Sequence, residues 1–196
     1  GQKQRCAIAR ALISKPSLFL MDEPLSSLDV RLKTQLRIEI AKLYQKNNAT
    51  FIYVTHDQIE AMTLADLLII MKDGCIQQMG KPMELYENPQ TLFVASFLGI
   101  SNINKIPSRI ENGYLSIGSR KIPWTNQEQR DVVIAIRCEN VIVDDSGLEG
   151  NIILIEYAGE NMYVHIQCEL GTIIMKQPYN KAIHQGDKIY IWFDTK

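Results

Sequence analysis

Leu18-Phe19-Leu20-Met21-Asp22-Glu23-Pro24 is a short, continuous apolar run closed by two carboxylates and a proline. A run of this length without polar alternation reads as a strand buried on both faces, as in a parallel sheet. Thr50-Phe51-Ile52-Tyr53-Val54 repeats the pattern and is followed by Thr55-His56-Asp57. Between the two runs Leu32, Leu36, Ile40 and Leu43 fall at helical spacing, and Ser26, Ser27 and Asp29 supply capping oxygens ahead of them. Strand, helix, strand is the unit of an α/β fold, where ligands gather at the C-terminal ends of the strands. Asp22, Glu23 and His56 stand at those ends.

Working outward, Gln2–Ser14 reads as a helix stopped by Lys15-Pro16, and Gln58–Leu64 as a second amphipathic helix that Asp57 can cap. Leu67–Met71 and Cys75–Met79 flank Lys72-Asp73-Gly74, a hairpin signal. Two short helices follow, around Met83–Tyr86 and Thr91–Phe97. Helical periodicity then stops at Gly99. Short β-rich runs recur beyond it at Lys105–Ile110, Tyr114–Ile117, Val132–Ile136, Asn151–Tyr157, Met162–Cys168, Thr172–Gln177 and Lys188–Phe193, with Asn112-Gly113 as a two-residue hairpin turn. Many short strands at this spacing predict a small barrel or sandwich. The expected organisation is an α/β part over residues 1–99 and an all-β domain over 100–196, with the boundary between 98 and 104.

Composition excludes several classes. The 196 residues carry 21 basic and 22 acidic side chains, a formal net charge of −1, which gives no general attraction to nucleic acid or anionic lipid. The longest apolar stretches are strand-length, far short of the roughly 20 residues a membrane helix needs. Cys6, Cys75, Cys138 and Cys168 form no C-x-x-C pair, so reduced thiols are expected rather than a disulfide framework or zinc site. His56, His165 and His184 show no metal-ligand spacing. Trp124, Trp192, Tyr157, Tyr163 and Tyr190 suit a small-ligand platform, but at alternating strand positions they read first as core or interface residues.

Two acids at a strand end suit phosphoryl chemistry. One holds Mg²⁺, directly or through water, and the other polarises the water that attacks a terminal phosphoryl group. Taken alone, Asp22-Glu23 ends a strand and caps the next helix equally well. His56 at the second strand end reads as a group that holds water and phosphoryl in line, or as a satisfied strand-end histidine. Gly1-Gln2-Lys3-Gln4-Arg5 opens a helix whose N–H groups and dipole suit a phosphate, or is a charged first turn. No G-x-x-x-x-G-K-[ST] phosphate loop occurs in the 196 residues.

In order and spacing these elements resemble the C-terminal half of an ABC-transporter nucleotide-binding subunit. Gly1-Gln2 resembles the end of the Leu-Ser-Gly-Gly-Gln signature, Leu18–Glu23 the Walker B strand, Ser26–Asp29 the D-loop and His56 the switch histidine. Tyr53-Val54-Thr55-His56-Asp57-Gln58-Ile59-Glu60-Ala61-Met62 and Phe93-Val94-Ala95-Ser96-Phe97-Leu98-Gly99 are similar to importer ATPases of the maltose-transporter type. Residues 100–196 resemble the oligonucleotide-binding-like TOBE domain of that group, with Ala135-Ile136-Arg137-Cys138-Glu139-Asn140 in place of its Gly-Ile-Arg-Pro-Glu-His segment.

The resemblance implies a partial P-loop NTPase (RecA-like) α/β segment followed by an all-β OB-like TOBE domain. It implies an ATP-hydrolysing importer subunit, peripheral on the cytoplasmic face of the cell membrane, that powers uptake of a solute, carbohydrate first, with polyamine, iron or sulfate as alternatives. Glu23 is then the general base, Asp22 the holder of the Mg²⁺ shell and His56 the γ-phosphate contact. Gly1 and Gln2 serve the ATP of a second ATPase subunit, and Asp29 couples the two sites. The implied partners are that second subunit and membrane-spanning permease subunits. The solute is not contacted directly, and nucleic acid is not a partner. The missing phosphate loop implies a chain cut upstream of Gly1 and inactive by itself. A reading from a different class is a ligand- or protein-binding regulatory β-module without ATPase activity.

Overall fold

The computed structural model describes residue 10 and residues 16–46, 49–99, 103–125 and 128–194. Gly1, Gln2 and the helix expected over Gln2–Ser14, apart from Arg10, lie outside the described residues. The chain folds as two compact units, Gly1–Val94 and Ala95–Lys196.

In the first unit β1 (Leu18–Asp22) and β2 (Thr50–Val54) pair in parallel, joined through α1 (Val30–Lys46). Phe19, 6% exposed, stacks on Phe51 at 4.5 Å between ring centroids, and Tyr44 of α1 meets the Phe51 ring edge-on. Leu36 and Ile40 of α1 bury against Leu25, with Leu28, Leu32, Tyr53 and Leu64 packed around them. This is the apolar stripe read from the sequence, turned onto the strands. The Tyr44 hydroxyl bonds the Asp66 carboxylate just past α2 (Gln58–Leu64). The strands' other face, with Leu18, Leu20, Ile52 and Val54, is exposed.

β3 (Leu68–Lys72) and β4 (Cys75–Gly80) form the expected hairpin. Its two turn residues, Asp73 and Gly74, both take positive φ (50° and 76°), as a type I′ turn requires. α3 (Pro82–Glu87) starts on a proline, whose missing N–H costs nothing in a first turn, and α4 (Leu92–Phe97) closes this stretch.

Beyond the end of α4 the second unit is built of strands, with one short 3₁₀ helix at Cys138–Asn140. Its strands are β5 (Asn104–Glu111), β6 (Tyr114–Ile117), β7 (Arg120–Pro123), β8 (Arg130–Ile136), β9 (Val141–Ala158), β10 (Asn161–Cys168), β11 (Gly171–Pro178) and β12 (Lys188–Phe193). They form two four-stranded antiparallel sheets, in the orders β7-β6-β5-β8 and β11-β10-β9-β12. Alternate residues of both sheets enter one core, with Ile106, Ile110 and Leu115 from the first meeting Val164, Ile166, Met175 and Ile191 from the second. The α/β segment followed by an all-β unit is the architecture read from the sequence.

Two elements escaped that reading. β7 is a charged tetrapeptide, Arg-Lys-Ile-Pro, held by its pairing with β6. β9 begins at Val141, well before Asn151, and passes through Asp144-Asp145-Ser146-Gly147, which reads as a turn. Its pairing with β12 jumps from Val143 to Glu149, so the residues between bulge out of the ladder. A Cβ on Gly147 would lie 2.3 Å from the Ile191 carbonyl oxygen, and one on Gly150 would lie 2.4 Å from Ile166 Cγ2. Glycine permits both close approaches.

Candidate functional site

The parallel register aligns Leu18 with Thr50 and Asp22 with Val54, so β1 and β2 end together. The Glu23 N–H then donates to the Val54 carbonyl at 2.8 Å, one residue past β1. Glu23 has φ of 43°, a left-handed conformation that costs a non-glycine residue about 1–2 kcal/mol. Ser26 secures that turn, donating from its N–H and its hydroxyl to the Glu23 carbonyl at 3.2 and 3.0 Å. Strained backbone held by its surroundings is a mark of functional sites.

The turn brings Glu23 to His56. Nδ1 of His56 lies 2.9 Å from Glu23 Oε1, with the two side chains 65% and 45% exposed. A carboxylate only accepts, so Nδ1 carries the proton of this bond. The other ring nitrogen is left for a second partner. Asp22 is exposed at the same strand end. Its single carboxylate is the hard oxygen donor that Mg²⁺ takes when it keeps waters and substrate phosphates as its other ligands. Among the described residues, no three His, Cys, Asp or Glu side chains cluster as a metal cage.

Asp29 caps α1. Its Oδ1 accepts from the Leu32 N–H at 3.0 Å and its carbonyl from the Lys33 N–H at 2.9 Å. Asp57 caps α2 in the same way, Oδ1 accepting from the Ile59 and Glu60 N–H groups at 2.9 and 3.2 Å, while Oδ2 lies 3.7 Å from Lys33 Nζ. Of the residues singled out from the sequence, the fold therefore brings Asp22, Glu23 and His56 to one edge. Asp29 lies on the turn that leads away from it, and Gly1 and Gln2 fall outside the described residues.

Sequence reasoning missed Glu60. The spacing Asp57-x-x-Glu60 matches a capping box, in which the glutamate reaches back to the cap N–H. In the structure Thr55 Oγ1 accepts that N–H of Asp57 at 3.0 Å. Glu60 instead turns inward and is 2% exposed, its Oε2 accepting from Tyr53 OH at 2.9 Å and Thr55 Oγ1 at 2.8 Å. Burial first, then the bond to Glu60 and its charge, push the Tyr53 hydroxyl far above the ordinary phenol range, so it stays a donor. The capping-box spacing was the available signal; which way the side chain turns depends on what packs over α2.

A TOBE domain model matches residues 134–196. The sn-glycerol-3-phosphate import ATP-binding protein of Roseobacter denitrificans is 49% identical over 83% of this chain and 46% of its own length. The maltose/maltodextrin import ATP-binding protein of Photorhabdus laumondii is 38% identical over 97% of this chain and 56% of its own. For the lactose transport ATP-binding protein of Rhizobium radiobacter the values are 36%, 100% and 59%. The chain spans about half the length of the curated relatives it matches. By that likeness and the TOBE match, the chain is similar to the C-terminal region of the ATP-binding proteins of sugar ABC importers.

Proposed function

We propose that this chain forms the water-activating part and the TOBE domain of an ATP-hydrolysing importer subunit that powers carbohydrate uptake. The 2.9 Å contact between Glu23 and His56 at the shared end of two parallel strands carries this reading. Residues 1–99 belong to the nucleotide-binding domain and 100–196 to the TOBE domain. The names of the relatives, which cover glycerol phosphate, maltodextrin and lactose import, support a sugar or polyol phosphate as solute.

Glu23 accepts the proton of a water whose oxygen bonds to the terminal phosphorus of ATP, while the bond from that phosphorus to the ADP oxygen breaks. With its side chain 45% exposed, the carboxylate is open to that water. His56, held through Nδ1, offers Nε2 to a phosphoryl oxygen. Asp22 would hold Mg²⁺ through water, and the bound ion would neutralise charge on the phosphate oxygens. Gly1 and Gln2 serve the nucleotide of a second ATPase subunit, and Asp29 couples the two sites. The work is passed to membrane-spanning permease subunits, beneath which the ATPase pair lies on the cytoplasmic face. Among the described residues no helix is long and apolar enough to cross a membrane.

The test is ATP turnover in an assembled transporter whose ATPase carries this stretch. Glu23→Gln keeps nucleotide binding and lowers turnover by about 10²–10⁴, the worth of a general base. His56→Ala lowers turnover while leaving thermal stability intact. Turnover of Glu23→Gln within about twofold of the unmodified subunit refutes the base role.

A further inference from the structure

We propose that Glu60 is a positioning residue for His56, holding the Thr55-His56-Asp57 turn so that the imidazole stays on Glu23. Its buried carboxylate grips the chain just before His56 and is linked through Thr55 to the residue just after it. Oε2 accepts from Tyr53 OH, near the end of β2, and from Thr55 Oγ1, immediately before His56. The same Thr55 hydroxyl oxygen accepts the N–H of Asp57, immediately after it. Asp57 in turn caps the first turn of α2, which carries Glu60 itself. The loop is thus a closed ring of hydrogen bonds with His56 on its outside.

His56 needs such a support. Its side chain is 65% exposed, and its contact with Glu23 joins two solvent-facing groups, a kind of pair that is weak and readily lost to water. What places the ring is therefore the backbone of residues 55–57. A buried carboxylate is an expensive way to fill space, and Oε1 finds no partner among the described residues. Fixing two hydroxyls at once is something that a leucine or methionine of similar volume cannot do. The Tyr53 phenol, kept protonated by its burial beside Glu60, remains a donor at any working pH.

The consequence for hydrolysis rests on the reading of Glu23 and His56 as the water-activating pair. The test does not, because it reads the imidazole in the 196-residue chain without ATP. Ring-nitrogen chemical shifts of His56 at neutral pH report the ratio of the Nδ1–H to the Nε2–H form, with His165 and His184 as internal references. The unmodified chain shows the Nδ1–H form enriched. Glu60→Leu lowers the ratio about fivefold, the equilibrium equivalent of the ~1 kcal/mol that one hydrogen bond contributes net. Glu60→Gln, which keeps a carbonyl acceptor, restores part of it. A ratio unchanged in Glu60→Leu overturns the proposal. Should Glu60→Leu fail to fold, Thr55→Val decides: it keeps the branched shape, removes only the hydroxyl, and lowers the ratio if the ring of bonds positions His56. Unchanged His56 signals in that variant, or collapse of the whole unit on so small a change, would equally overturn it. If Glu23→Gln turns out to leave turnover intact while these shifts appear, the catalytic reading fails and the positioning stands.

Discussion

Asn104 offers the sharpest quantitative test of how the β-domain is held. It is a polar residue on β5, 5% exposed, and its amide forms a two-bond clasp with the backbone of Ile174 on β11. Nδ2 donates to the Ile174 carbonyl at 2.8 Å, and Oδ1 accepts the Ile174 N–H at 2.7 Å. β11 is an edge strand of its sheet, so this side chain supplies there what a further strand would, and it ties the two sheets together. Asn104→Ala removes two bonds worth about 1 kcal/mol each and leaves a part-buried N–H and C=O to find water at a cost of about 1 kcal/mol. The expected loss is about 3 kcal/mol. For a domain of roughly 100 residues that lowers the melting temperature by on the order of 10–20 °C. Both tryptophans, Trp124 and Trp192, lie in this unit, so their fluorescence during thermal or urea unfolding follows it without the α/β segment. Asn104→Asp keeps the acceptor for the Ile174 N–H but sets a second acceptor against the Ile174 carbonyl. It is at least as destabilising at neutral pH, and acid recovers part of the loss, relative to the unmodified chain, because the protonated acid can donate. A loss below about 1 kcal/mol in Asn104→Ala would refute the reasoning, since two well-formed, part-buried bonds cannot be worth less than one ordinary bond.

Asp57→Ala removes both cap bonds of α2 and the Lys33 contact, and should cost about 0.5–2 kcal/mol, read as a lower urea midpoint for the helical signal by circular dichroism. Two bonds from Ser119, first from its N–H and then from its hydroxyl, hold the Glu169 carboxyl below the ordinary glutamate range. Bonds from Lys188 and then Tyr190 do the same for Glu149. A depressed carboxyl adds stability that is fully present above the unfolded value of about 4.3 and is lost as pH falls through the folded one. Stability of the β-domain, followed by tryptophan fluorescence, should therefore drop below about pH 4, and Glu169→Gln should flatten that acid limb. Titration of MgATP into the 196-residue chain should give no micromolar binding by calorimetry, because no phosphate loop lies within it to cradle the phosphates. A micromolar dissociation constant would show that the edge formed by β1 and β2 binds nucleotide without one.

What the sequence determined by itself is local. Apolar runs closed by polar residues placed β1 and β2, the 3.6-residue spacing of Leu32, Leu36, Ile40 and Leu43 placed α1, and the Asp-Gly and Asn-Gly dipeptides placed two hairpin turns, whose Asp73 and Asn112 take the positive φ those turns require. The identity of Asp22, Glu23 and His56 as candidates was legible because each follows a strand of parallel-sheet composition. Tertiary structure decided what these groups do to one another. Glu23 and His56 are 33 residues apart and meet only because β1 and β2 pair in parallel in one register; a slip of one residue would send the side chains to opposite faces. Glu60 could cap its own helix or turn beneath it, and the half-buried Tyr53 and Thr55 hydroxyls that it meets there settle which. β7 holds charged residues with little strand preference and becomes a strand because β6 supplies its ladder bonds, while the turn-forming Asp144–Gly147 stretch is carried within β9 because pairing with β12 continues on either side of it. Local preference is worth tenths of a kcal/mol per residue, whereas burial and pairing are worth several times that. Where the two disagree, the long-range contacts win.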